Sequence, residues 1–107
     1  LSMAQVRMLH DYVENRPGAA PTISELARQC GIGPRHFMAL FRATTGQTVR
    51  QWVDAQRIAK ARRLLTETRI PLKVIAFDLG FANQSVFSTA FKRLAGVSPR
   101  QYRNNGN

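Results

Sequence analysis

Gln84, Ser85, Ser88 and Thr89 stand out in a 107-residue chain that carries 16 Lys and Arg against 6 Asp and Glu. Spaced i, i+1, i+4 and i+5, they share one face if their segment is helical. That face is polar but uncharged, in a chain whose formal charge is +10. Cations would hold any polyanion, whereas amides and hydroxyls can tell one base edge from another. The Gln84 amide matches the N6 and N7 of adenine, a pairing worth roughly 1–3 kcal/mol of discrimination. Ser85, Ser88 and Thr89 can donate or accept, and the Thr89 methyl can meet the methyl of thymine.

Arg35, Met38, Ala39 and Arg42 form a second such face, opposite Phe37, Leu40 and Phe41. Arg35 can pair in bidentate fashion with the O6 and N7 of guanine, while Met38 and Ala39 offer apolar contact alone. This face should therefore specify fewer base pairs. Phosphate anchoring has its own candidates. Arg42 and Lys92 lie on the flanks of the two helices, and Arg50, Arg100 and Arg103 follow them. Free N–H groups at the helix starts marked by Thr48 and Ser98 offer two anion sites.

Several other chemistries find no residues. The chain contains one Cys and two His, too few for a disulfide or a structural zinc, so no metal or cofactor is expected. Paired carboxylates, a nucleophile with its base and a phosphate loop are all missing, and no catalytic residue is assigned. Cys30 reads as a small buried hydrophobe. No apolar run approaches the roughly 20 residues of a membrane span. The expectation is a soluble, cytoplasmic, nucleoid-associated protein in a reducing setting. The chain starts at Leu1 without an initiator Met, which suggests a piece cut from a longer protein.

Helices must position these faces. Val6, Leu9 and Val13 predict a first helix ending near Asn15, where RPGAAP breaks it. Thr22 and Glu25 read as a capping box for ISELARQC, which Gly31 stops. Gly33 as N-cap and Pro34 at the first position open a helix to about Thr45. Thr48 and Gln51 cap a long helix over 48–67, with Val49, Val53, Ala61, Leu64 and Leu65 as its apolar stripe. Arg57 falls near that stripe and should snorkel or pair with an acid, Asp78 being one candidate. PLKVIAFDL is a helix started by Pro71 and ended at Gly80. Asn83 caps the next, to about Ala95, with Phe87, Ala90, Phe91 and Leu94 inward. Ser98 and Pro99 start the last, and 104–107 read as a disordered tail. Nothing alternates with period two, so the class is all-α with about seven helices.

The chain also repeats itself. An offset of 49 places Ala27 and Gly31 on Ala76 and Gly80. An offset of 50 places Gly33, Phe37, Phe41, Arg42 and Gly46 on Asn83, Phe87, Phe91, Lys92 and Gly96, and Thr48, Gln51 and Trp52 on Ser98, Gln101 and Tyr102. The unit is helix, Gly turn, helix, Gly stop, capped helix. A short helix, a tight turn and a second helix make a helix-turn-helix, whose second helix enters the major groove. Trp52 and Tyr102, matched in the repeat, are expected in core or hinge packing.

ARRLL in the long helix, IAFDLGF, and VFSTAFKRLAGVSPRQYR together resemble the DNA-binding domain of AraC/XylS-type transcriptional regulators, over Val6 to Arg103. The resemblance implies two helix-turn-helix subdomains of homeodomain-like three-helix units, over 3–46 and 70–103, joined by the linking helix. It places base reading on Arg35, Met38, Ala39, Gln84, Ser85, Ser88 and Thr89. It implies double-stranded DNA as partner, RNA polymerase as a further one if the protein activates, and a separate ligand-sensing or dimerisation domain in the full-length protein. A linking helix of about 20 residues spans ~30 Å, comparable to the ~34 Å between successive major-groove segments. The competing reading is a basic helical module for RNA or an acidic protein.

Overall fold

A computed structural model of the chain describes residues 1–16, 18 and 20–105. Seven helices follow one another: α1 (Met3–Glu14), α2 (Ile23–Gln29), α3 (Pro34–Thr45), α4 (Val49–Glu67), α5 (Leu72–Asp78), α6 (Gln84–Ala95) and α7 (Pro99–Asn105). No strand occurs among the described residues. The helices form two compact units, one of Leu1–Arg16 with Ala20–Val53, the other chiefly of the chain from Asp54 onward.

In the first unit, α1 starts with a reciprocal cap. The Gln5 amide donates to Ser2 Oγ at 3.1 Å, and the Ser2 amide donates to Gln5 Oε1 at 2.9 Å. The expected box at Thr22 is only half formed. Thr22 Oγ1 accepts from the Glu25 amide at 3.1 Å, but the Glu25 carboxylate turns to Arg16, with Oε2 and Nη1 2.6 Å apart. A guanidinium binds a carboxylate more strongly than a neutral amide does, and it wins. The core gathers Leu9, Val13, Leu26, Ala27, Phe37, Phe41, Val49, Trp52 and Val53. Half-buried Cys30 packs against it, and burial pushes its thiol pKa up.

The second unit repeats this plan around Ile58, Ala61, Leu65, Ile75, Ala76, Leu79, Phe81, Phe87 and Phe91. Phe37, Phe41 and Trp52 pack in series, tilted and edge-on, at 5.6 and 5.4 Å between centroids; Phe87, Phe91 and Tyr102 pack edge-on at 5.9 and 5.3 Å. The sequence repeat is thus a repeat of packing. Each fully buried Phe contributes roughly 1.5–3 kcal/mol of transfer free energy.

The two turns also match bond for bond. The Gly31 and Ile32 amides donate to Arg28 O and Ala27 O at 3.1 and 3.2 Å; those of Gly80 and Phe81 donate to Phe77 O and Ala76 O, both at 3.0 Å. This closure needs a left-handed residue, and Gly31 and Gly80 supply it at φ 71° and 82°. The chain then leaves at the angle that starts α3 or α6.

Three details depart from expectation. Pro71 is the N-cap of α5 rather than its first residue, because the Ile75 amide already donates to Pro71 O at 3.0 Å. Leu94 is 43% exposed, not inward. Its equivalent Thr44 is exposed too, whereas the next residue in each unit, Ala95 or Thr45, is half-buried. Asn104 and Asn105, expected in the tail, continue α7; the rest of that tail, 106–107, lies outside the described residues. Pro17 and Ala19 of the RPGAAP breaker lie outside them as well.

Candidate nucleic-acid interface

Gly33 opens α3 as its N-cap, with Pro34 in the first turn, and Phe37 and Phe41 anchor one side of the helix. That anchoring turns Arg35, Met38, Ala39 and Arg42 outward, and all four are exposed, Met38 by 42%. In α6, Asn83 Oδ1 accepts from the Val86 amide at 2.9 Å and Phe87 and Phe91 anchor the helix. Ser85, Thr89 and Lys92 are exposed, while Gln84 and Ser88 are half-buried at the edge of the same face. Each helix therefore assembles its own expected set on one side. Neither α3 nor α6 contains a carboxylate; the six acids lie on α1, α2, α4 and α5. The Lys and Arg residues on these two helices are Arg35 and Arg42 on α3 and Lys92 and Arg93 on α6, which favour the approach of a polyanion.

Several assignments narrow. The Thr89 hydroxyl donates to Ser85 O at 3.0 Å, so outward it presents its methyl and an accepting oxygen, not a donor. The Thr48 and Ser98 hydroxyls are committed as caps, accepting from the Gln51 and Gln101 amides, both at 3.1 Å. Gln51 Oε1 and Gln101 Oε1 accept in return from the Thr48 and Ser98 amides at 3.0 and 3.3 Å. An anion is left the first amides of the helix: Val49 and Arg50 in α4, but only Arg100 in α7, since Pro99 has none. Arg50 and Arg100 are exposed beside these starts.

Arg103 is half-buried, and its Nε donates to Leu65 O at 3.1 Å and its Nη2 to Thr68 O at 3.5 Å. Its guanidinium ties α7 to the end of α4. The pairing suggested for Arg57 is corrected. Its acid is Asp54, three residues earlier, with Nη2 3.5 Å from Oδ1, and Asp78 is exposed. The i, i+3 spacing within α4 carried that signal. Sequence reasoning missed Arg93, an exposed cation on α6 whose Nη2 lies 3.8 Å from Asp54 Oδ2.

Among the described residues no cluster of His, Cys, Asp and Glu could hold a metal ion, and no helix is long and apolar enough to cross a membrane.

Residues 26–105 match the family described as helix-turn-helix domain. The chain belongs to the AraC/XylS-type family of helix-turn-helix DNA-binding domains. It is 36% identical over 81 residues to the arabinose operon regulatory protein of Escherichia coli K12, a match covering 76% of this chain and 28% of that protein. The C-terminal domain of AraT, a response regulator from Geobacillus stearothermophilus, superposes with a TM-score of 0.84 at 31% identity, over 97% of this chain and 86% of that one. The DNA-binding domain of the global transcriptional factor AdpA, solved in complex with a target DNA, gives 0.80 at 27% identity, over 94% of this chain and 87% of that one. The chain spans 28% to 39% of the length of the curated relatives it matches. An AraC/XylS-type domain, with its two helix-turn-helix units, accounts for the tandem repeat. The reading as a basic module for RNA or an acidic protein is not favoured.

Proposed function

We propose that this AraC/XylS-type domain binds double-stranded DNA by placing α3 and α6 in successive major-groove segments, where α6 supplies most of the hydrogen-bonded base reading. The observation that carries the proposal is the outer face of α6: Gln84, Ser85, Ser88 and Thr89 on one side of a helix without carboxylates. Gln84 reads adenine, Ser85 and Ser88 donate or accept, and Thr89 contributes its methyl. On α3, Arg35 reads guanine while Met38 and Ala39 give apolar contact. Arg42, Arg50, Lys92 and Arg100 neutralise phosphates, helped by the first amides of α4. The AdpA domain and its target DNA support the reading by kinship.

The relatives' greater length supports a further, ligand-sensing or dimerisation domain in the full-length protein. RNA polymerase is then its second partner if it activates, and the cytoplasm, on the nucleoid, its place of work. The domain acts by binding and not by turnover.

Selection from random duplexes, followed by fluorescence anisotropy across a salt series, tests the proposal. Two half-sites about ten base pairs apart should emerge, bound far more tightly than scrambled duplex or single-stranded RNA. Equal affinity for selected and scrambled duplex at every salt concentration would refute it.

A further inference from the structure

We infer that Arg57 of α4 is a positioning residue for the second recognition helix, fixing how α6 is aimed without touching DNA itself. Its Nη1 lies 3.3 Å from Leu79 O and 3.4 Å from Gly80 O, the carbonyls at the head of the turn between α5 and α6. Its guanidinium carbon lies 3.9 Å from the centroid of Phe81, whose ring packs 5.3 Å from that of Phe87 on α6. Asp54 closes the arrangement: Oδ1 faces Arg57 at 3.5 Å and Oδ2 faces Arg93 of α6 at 3.8 Å. The two side chains of the pair are largely shielded, at 17% and 21% exposure, so water screens them less than it does a surface pair.

Two routes therefore run from α4 to α6, one through the turn carbonyls and Phe81, the other through Asp54 and Arg93. A planar guanidinium suits this place: it donates in its own plane while its face stacks on an aromatic ring, which a Lys ammonium cannot do. Among the described residues the first unit has no such device. At the repeat-equivalent positions of Phe81 and Arg93 stand Ile32 and Ala43; with buried Leu9 and Val13 of α1 matched to Ala61 and Leu65 of α4, the places of Asp54 and Arg57 are taken by Ser2 and Gln5. The clamp thus belongs to the unit whose second helix carries the hydrogen-bonding face. Hydrogen bonds read base edges only when donors and acceptors are held to a fraction of an ångström, whereas the apolar contacts of α3 tolerate more freedom.

The inference rests on the proposal that α6 reads bases, and its test separates the two. Wild type, Arg57→Met, Arg57→Lys and Asp54→Asn in the 107-residue chain are titrated against the selected duplex and its single-base-pair substitutions. Positions belonging to α6 are defined by their loss of discrimination in Gln84→Ala. Arg57→Met should lower discrimination at those positions about tenfold, with less than about twofold change at the α3 positions and an unchanged salt slope. Arg57→Lys should rescue little, and Asp54→Asn should give a smaller loss of the same pattern. Amide hydrogen exchange should speed up at 81–92 and not at 32–42, a readout independent of DNA. Equal losses in both half-sites, or full discrimination retained by Arg57→Met, would overturn the inference and leave the base-reading proposal standing. If Arg57→Met does not fold, Arg57→Lys and Asp54→Asn decide by the same criteria. A wild type without base preference would overturn both.

Discussion

Arg100 and Arg103 stand three residues apart on α7, yet truncating each should have a different consequence. Arg100 is exposed at the start of the helix, whereas Arg103 is half-buried and bonded to Leu65 O and Thr68 O. Four exposed cations, Arg42, Arg50, Lys92 and Arg100, are assigned to phosphates. At ~0.9 of log–log slope per contact, they contribute about −3.6, or roughly a 150-fold loss of affinity between 50 and 200 mM salt. Arg100→Ala removes one contact and should reduce that loss to about 40-fold, with little change in thermal stability. Arg103→Ala should keep the 150-fold loss. It gives up one good charge-assisted hydrogen bond and one marginal one, together worth roughly 1–2 kcal/mol. In a domain of this size that lowers the melting temperature by roughly 5–15 °C. Anisotropy titrations at four salt concentrations and calorimetric melting of both variants give the answer. A flattened slope in Arg103→Ala, or a large melting shift in Arg100→Ala, would refute the sorting of cations into anchors and braces.

Other expectations follow from the packing. Phe37→Ala and Phe87→Ala each remove a fully buried ring at the centre of one unit and should cost about 3–5 kcal/mol, read by denaturant unfolding. Gly31→Ala adds a methyl into open space at φ 71°, so its cost is conformational alone, about 1 kcal/mol in the same assay. Burial raises the Cys30 pKa, so the thiol should be alkylated more slowly than an unstructured cysteine peptide at pH 8. Its rate should keep climbing with pH past the point where the peptide's levels off; equal rates and equal midpoints would contradict this.

Much of this architecture is legible in sequence because it is local. Gly31 and Gly80, the Thr48–Gln51 and Ser98–Gln101 boxes and the Phe37–Phe41 and Phe87–Phe91 spacings each act within one or two helical turns, and they recur at a near-constant offset. What escaped is mostly long-range competition. Arg103 finds Leu65 O across 38 residues, and Arg57 finds Gly80 O across 23; no periodicity reports such partners. Glu25 left its capping role because Arg16 came within reach, and Leu94 is exposed although Ala95 next to it packs on the core. The Thr89 hydroxyl, by contrast, turned back to a carbonyl one helical turn away, a habit of Thr in helices that spacing alone would have allowed.

The central claim is a division of labour on α6, in which uncharged groups select the bases and cations hold the backbone. Gln84→Ala and Lys92→Ala, titrated against every single-base-pair variant of the selected duplex, test it most directly. Gln84→Ala should erase discrimination at one base pair, a loss of about 1–3 kcal/mol there, and leave the salt slope intact. Lys92→Ala should weaken all duplexes alike and flatten the slope by about 0.9. The same uniform weakening from both variants would contradict the account.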